Sequence, residues 1–234
     1  MFDNHVHCHE FPGEELSQYR GEWTLVCVSD DLESSRKTVE LRGVVRCLGI
    51  HPWHVEKAEP GDLSAVIRLI EKSEAPCVGE VGLDKKFVPQ SYGKQVEFFG
   101  EFLHLARELD LVVNVHAPDA WADVVNMLRR FDVDRALIHW YTGPLDLLET
   151  ISDLGYYISI NPAVVMQKKH QVVAKAADRR VILLESDGPY EYRGMRLVPP
   201  AIRNTVEKLA ELWGAPTDYV VEIVEANARR LWRL

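Results

Sequence analysis

The chain has 234 residues, 47% hydrophobic and 27% charged, with a formal net charge of -9. This composition excludes a disordered or fibrous chain, and the length suits a single globular domain with a sizeable core. The acidic balance also excludes a protein that coats nucleic acid non-specifically, because that mode needs many Lys and Arg against phosphates.

Eight short apolar runs rich in β-branched residues recur along the chain: Phe2 to His7, Thr24 to Val28, Val44 to Ile50, Cys77 to Gly82, Val112 to His116, Ala136 to His139, Tyr156 to Ile160 and Val181 to Glu185. Amphipathic stretches separate them. Ser91 to Leu109 carries Val96, Phe99, Leu103 and Ala106 at helical spacing, and Pro200 to Trp213 carries Ile202, Val206, Leu209 and Trp213 in the same way. Eight strands, each followed by helix, predict a (β/α)8 TIM-type barrel as one domain over residues 1–234, with its active site at the C-terminal strand ends. An open doubly wound sheet would carry a Gly-rich phosphate loop after its first strand, and no G-x-G-x-x-G occurs.

Candidate ligands fall at those strand ends. His5 and His7 share one face of the first strand, since side chains alternate with period two. Glu80 closes the fourth run, His116 the fifth and His139 the sixth, and Asp187 follows the eighth. Mixed imidazole and carboxylate donors suit Zn, Mn, Fe, Co or Ni better than they suit Mg. Six ligands exceed the usual three of one catalytic zinc, so two divalent ions are expected. Glu80 would be shared, with His5, His7 and Asp187 completing one site and His116 and His139 the other.

The four cysteines, Cys8, Cys27, Cys47 and Cys77, show no tight spacing, so no disulfide framework is expected and a reducing cytoplasm is the predicted setting. No run approaches the ~18 apolar residues of a membrane span, and the N-terminus lacks a signal pattern, so no membrane association is expected. Nor is an obligate protein partner.

Several segments, taken in order, resemble the TatD-type metal-dependent hydrolases of the amidohydrolase superfamily. They are Asp3-Asn4-His5-Val6-His7, Gly49-Ile50-His51-Pro52, Gly79-Glu80-Val81-Gly82-Leu83-Asp84, Val115-His116, His139-Trp140-Tyr141-Thr142-Gly143, Ser186-Asp187-Gly188-Pro189-Tyr190 and Glu225-Ala226-Asn227-Ala228-Arg229-Arg230-Leu231. The resemblance implies a dinuclear phosphodiesterase or exonuclease, a deoxyribonuclease-like enzyme with a single-stranded DNA or RNA end as substrate. Two departures stand out. Many members of that family have Arg two residues beyond the strand-five histidine, where this chain has Pro118, and His is frequent where this chain has Trp53.

Around the ligands, His51, Trp53, Trp140, Tyr141, Tyr190 and Arg193 are expected to line the mouth and meet substrate, the rings by stacking on bases. His104 and His170 are expected at helix surfaces. The expected chemistry is attack by a hydroxide generated from water between two cations, with Asp187 as general base and Glu80 as the shared carboxylate. The same site on a carbon centre would open a cyclic amide, ester or lactone, and a non-catalytic metal-stabilised scaffold is the reading from another class.

Overall fold

The computed structural model describes residues 1–234. Its strands are β1 Phe2–Val6, β2 Thr24–Cys27, β3 Val45–Leu48, β4 Cys77–Gly82, β5 Val112–His116, β6 Ala136–Ile138, β7 Tyr157–Ile160 and β8 Ile182–Leu184, followed by a small hairpin of β9 Glu191–Tyr192 and β10 Met195–Arg196. The helices are α1 Gly13–Arg20, α2 Leu32–Glu40, α3 Pro52–Val55, α4 Pro60–Ser73, α5 Tyr92–Glu108, α6 Trp121–Arg130, α7 Leu147–Asp153, α8 Lys168–Ala176, α9 Ile202–Trp213 and α10 Thr217–Trp232. Strands β1 to β8 follow sequence order with helix between successive strands, which is the expected (β/α)8 class. The β9–β10 hairpin was not foreseen.

Contacts divide the chain into two compact units, Met1–Val26 with His139–Leu234, and Cys27–Ile138. In the second unit, β3, β4, β5 and β6 pair in parallel, with Cys47 opposite Cys77, Val113 opposite Ala136 and Val115 opposite Ile138. Val112, Val113 and Val115 are all fully buried, as continuous apolar strands of a parallel sheet should be. Helix α5 buries Gln95, Phe98, Phe99, Phe102, Leu103 and Ala106, a stripe of helical period. Each buried Phe contributes about 1.5–3 kcal/mol. Helix α2 starts at Asp31, whose carboxylate accepts from the Ser34 amide while the Asp31 amide donates to Ser34 Oγ, a reciprocal cap that fixes where the helix begins.

Strand β4 is irregular where it matters most. Its register against β5 shifts between Val78 and Val81, so Glu80 sits at the break. The strand ends at Gly82, whose φ is +144° and where a Cβ would lie 2.0 Å from the His116 carbonyl oxygen. Only glycine lets the two strands approach so closely.

The cysteines contradict the sequence expectation. Cys47 and Cys77, in direct register on β3 and β4, form a disulfide with Cα atoms 4.4 Å apart, and no cysteine is free. Their separation of 30 residues is one strand–helix repeat, so adjacent strands bring together what sequence spacing holds apart.

In the first unit, β7 and β8 pair in parallel with Ile158 opposite Ile182. Helix α10 ties this unit down through buried, satisfied polar groups: Trp232 Nε1 donates to Asn4 Oδ1 at 2.8 Å, Asn4 Nδ2 donates to the Leu184 carbonyl at 2.8 Å, and Asn227 Nδ2 donates to the Ile182 carbonyl at 2.7 Å. His170 of α8, expected at the surface, is fully buried. The helix turns it inward with Val173 and Ala174, and burial lowers its pKa to about 3, against a small opposing effect of the Ser159 backbone. His104 on α5 does face solvent, beside Glu108. No helix is long and apolar enough to cross a membrane.

Candidate metal centre

The expected ligands fall into clusters within each unit, and His139, expected to share an ion with Glu80 and His116, stands instead with His5 and Glu185. In the first, His5 lies in β1 and His7 just beyond it, and the segment after β8 is zipped to this strand by backbone bonds from Asp187 N to the His5 carbonyl (2.9 Å) and from His7 N to the Gly188 carbonyl (2.8 Å). That zipper sets one carboxylate oxygen against two rings. Asp187 Oδ1 is 3.5 Å from His5 Nε2 and 3.4 Å from His7 Nε2. His139, just past β6, stacks its ring on His5 with centroids 3.9 Å apart, and its Nδ1 lies 3.6 Å from Glu185 Oε1.

Those distances are informative. They exceed good hydrogen bonds. Yet donors at about 2.0–2.2 Å from a tetrahedral cation are themselves separated by about 3.3–3.6 Å. The donor chemistry and the spacing therefore both fit a divalent metal such as zinc.

Glu185 is the residue that sequence reasoning missed. It is fully buried, its Oε2 accepts from Ser159 Oγ at 2.5 Å, and its Oε1 accepts from the Trp140 amide at 2.9 Å. His5, His139 and Glu185 form a second possible metal triad beside His5, His7 and Asp187. A signal existed: a carboxylate at the end of an apolar strand and two residues before Asp187. Asp3 is a further buried acid. Burial raises its pKa to about 8 despite bonds from the Ser186 hydroxyl and amide.

In the second unit, Glu80, His116 and His51 meet. Glu80 Oε1 is 2.9 Å from His116 Nδ1 and 3.2 Å from His51 Nε2. All three are buried, and their donor atoms lie within 4.8 Å of one another. His51 was expected to meet substrate; here it is against Glu80, as the N-cap of α3, accepting the Trp53 amide on Nδ1 at 3.1 Å. Burial lowers its pKa, while Glu80 opposes that.

Asp84, quoted in the motif but given no role, lies behind His116. Its Oδ2 is 2.9 Å from His116 Nε2 and accepts from Trp53 Nε1 at 2.7 Å, while Oδ1 accepts the amides of Lys86 and Phe87 at 2.8 and 2.7 Å. Burial pushes the Asp84 carboxyl up, but the bonds from His116, Phe87 and Trp53 outweigh it and bring the pKa to about 2.

The expected mouth aromatics separate into two groups. Trp140 and Tyr190 gather edge to face and are joined by Tyr192, which was not in that set, with Trp140 centroids 6.1 Å from Tyr190 and 5.5 Å from Tyr192, and Arg193 lies over Tyr192 at 5.4 Å. Trp53 is 45% exposed and meets Phe87 edge to face. Tyr141 corrects the expectation. It is fully buried, its hydroxyl donates to the Pro144 carbonyl at 2.6 Å, and it shapes its own loop and has no surface to offer a substrate.

The chain matches the TatD related DNase family over residues 2–233. It is 29% identical over 203 residues to the uncharacterized metal-dependent hydrolase YcfH of Escherichia coli K12, covering 83% of this chain and 76% of that one. It is 30% identical over 208 residues to human deoxyribonuclease TATDN3, covering 81% and 74%. The crystal structure of YJJV, a TatD homologue from Escherichia coli K12, superposes with a TM-score of 0.88 at 26% identity, covering 100% of this chain and 98% of that one.

Proposed function

The chain belongs to the TatD family of metal-dependent hydrolases, and from that premise we propose that it is a phosphodiesterase of the exonuclease type, acting on a single-stranded DNA or RNA end. The observation that carries this reading is the pair of buried imidazole and carboxylate clusters at strand ends, one in each unit. One cation would be held by His5, His7 and Asp187, with His139 and Glu185 adjoining, and a second by Glu80 and His116. When bound, such ions lower the pKa of water and neutralise charge developing on phosphate oxygens.

The chain's own residues supply the rest. Asp187, an acceptor set between two rings, takes the proton of the attacking water. Glu185, gripped by Ser159 and the Trp140 amide, holds the acceptor end that faces His139. Trp140, Tyr190 and Tyr192 offer ring faces on which bases stack, and Arg193 offers a charge to phosphate.

One observation favours a second reading. Pro118 stands where a guanidinium would clamp phosphate bidentately, so hydrolysis of a cyclic amide, ester or lactone is the alternative. The test is a panel of single-stranded DNA and RNA, a phosphodiester dye, and small esters, lactones and cyclic amides, each with Zn, Mn or Mg. Trimming of oligonucleotides from one end supports the proposal; cleavage of the carbon substrates alone would sink it.

A further inference from the structure

The second unit holds two aromatic rings that core packing does not account for. Phe87 is 56% exposed and Trp53 is 45% exposed, so each leaves in water much of the surface whose burial would stabilise the fold. They meet edge to face with centroids 5.7 Å apart and planes at 73°, so the pair forms a corner. Lys86 Nζ lies 4.8 Å from the Phe87 centroid and is paired with no carboxylate, whereas its neighbour Lys85 is paired with Asp123. The Trp53 ring also stands edge to face with His116, centroids 6.1 Å apart, so the corner adjoins the Glu80 cluster.

Asp84 pins this corner from inside. Fully buried, it accepts the amides of Lys86 and Phe87 on Oδ1 at 2.8 and 2.7 Å, and the Trp53 indole hydrogen on Oδ2 at 2.7 Å. A surface held in this way loses little freedom when a ligand docks. The indole bond also limits what the corner can read. Trp53 has one polar side-chain atom, which Asp84 has taken, and Phe87 has none. Ring surface beside one positive charge remains, which suits a base with its phosphate and suits every base, since each has a π-face. An apolar protein face laid on the same rings would bury Lys86 without a partner charge, at a cost that a phosphate avoids.

We propose that Trp53, Phe87 and Lys86 form a sequence-tolerant nucleotide subsite for a single-stranded oligonucleotide, with a base lodged in the corner of the two rings and its phosphate against the Lys86 ammonium. Asp84 is the positioning residue of this subsite. Its rings and charge come from the second unit alone, so it is a different set from the Trp140 group of the first. This inference rests on the oligonucleotide reading above and deepens it.

Binding of the zinc-loaded full chain to fluorescein-labelled single-stranded DNA, read by anisotropy, tests it, with phosphorothioate linkages so that the strand is held and not cut. Phe87→Leu keeps an exposed apolar side chain and breaks no side-chain hydrogen bond. It should weaken binding about 10-fold, and by nearly the same factor on oligo-dT and oligo-dA. Lys86→Gln should weaken binding less and make the fall of log affinity with log salt shallower by about 0.7, the share of one single-strand phosphate. An abasic strand should bind the parent and Phe87→Leu alike, because the ring then has nothing to stack on, whereas a merely structural effect of the variant would persist. Unlabelled strand should quench tryptophan emission in the parent and quench it less in Trp53→Phe. If Phe87→Leu binds the normal strand like the parent, or its loss persists on the abasic strand, the subsite is refuted while the oligonucleotide reading stands. A change in the sedimentation of free Phe87→Leu with unaltered strand binding would make the rings a contact between copies and overturn the proposal. If the parent binds no strand at all, the oligonucleotide reading fails and the subsite with it.

Discussion

The cluster around Asp187 and the cluster around Glu80 use the same side chains but are held differently. Around Asp187, rings and carboxylate stand 3.4–3.5 Å apart, beyond good hydrogen bonds, and the zipper of backbone bonds from His7 and Asp187 sets the spacing. Around Glu80, the rings are 2.9 and 3.2 Å from the carboxylate and are fixed from behind by Asp84 and Trp53. The first is a backbone frame whose donor spacing fits a cation. The second is a network in which partners beyond the candidate ligands decide which ring atoms face Glu80. Ligand identity alone therefore does not describe a metal centre.

The comparison breaks first at Asp187. If this carboxylate takes a proton as well as holding metal, Asp187→Asn should lower kcat/KM by about 10^3-fold, some 4 kcal/mol, while elemental analysis finds the metal content nearly unchanged. Parallel loss of both would reduce Asp187 to a ligand.

Metal removal is the next largest effect. A cation present at 100 times its Kd stabilises the folded chain by about 2.7 kcal/mol, so chelation should lower the thermal midpoint by several degrees. Glu80→Ala should then leave the remaining metal-dependent stabilisation to the Asp187 cluster, and the difference between parent and variant assigns a share to each. An unchanged midpoint on chelation would show that neither cluster depends on a cation for its structure.

Two buried histidines extend the contrast to pH. His51 has Glu80 beside it, whereas His170 has only the Ser159 backbone to oppose its burial. With the folded pKa of His170 near 3 and an ordinary value of 6.5, the unfolded chain takes up a proton that the folded chain refuses. Stability is therefore intact above about pH 6.5 and lost progressively toward pH 3. Between about pH 6.5 and pH 5 the loss should reach about 2 kcal/mol. Chemical unfolding of His170→Phe across that interval should show a shallower dependence; an identical slope would mean that another group governs it.

Much of the site was legible because strand ends are periodic. The H-x-H of β1, Glu80, His116, His139 and Asp187 each sit at or just past an apolar run, and alternation together with the repeat was enough to single them out as candidates. Glu185 shared that position but reads as an ordinary strand terminus beside Asp187. Asp84 could not be placed, because its role depends on a loop turning it behind His116. Tyr141 and Trp140 are neighbours in the sequence, yet Tyr141 is buried with its hydroxyl bonded to the Pro144 carbonyl while Trp140 is half-buried with its indole bonded to Gln167.

The sequence by itself determined the eight strand–helix repeats, the candidate ligand types and the family resemblance, since all three are written in period, composition and local motif. Only the tertiary structure decided that Cys47 and Cys77 are bonded, that His170 is inside, that Tyr141 is unavailable, and that His51 and His116 turn opposite ends to Glu80. Each of those depends on which atoms stand behind a side chain, and atoms from distant segments meet there only after the strands have taken their register.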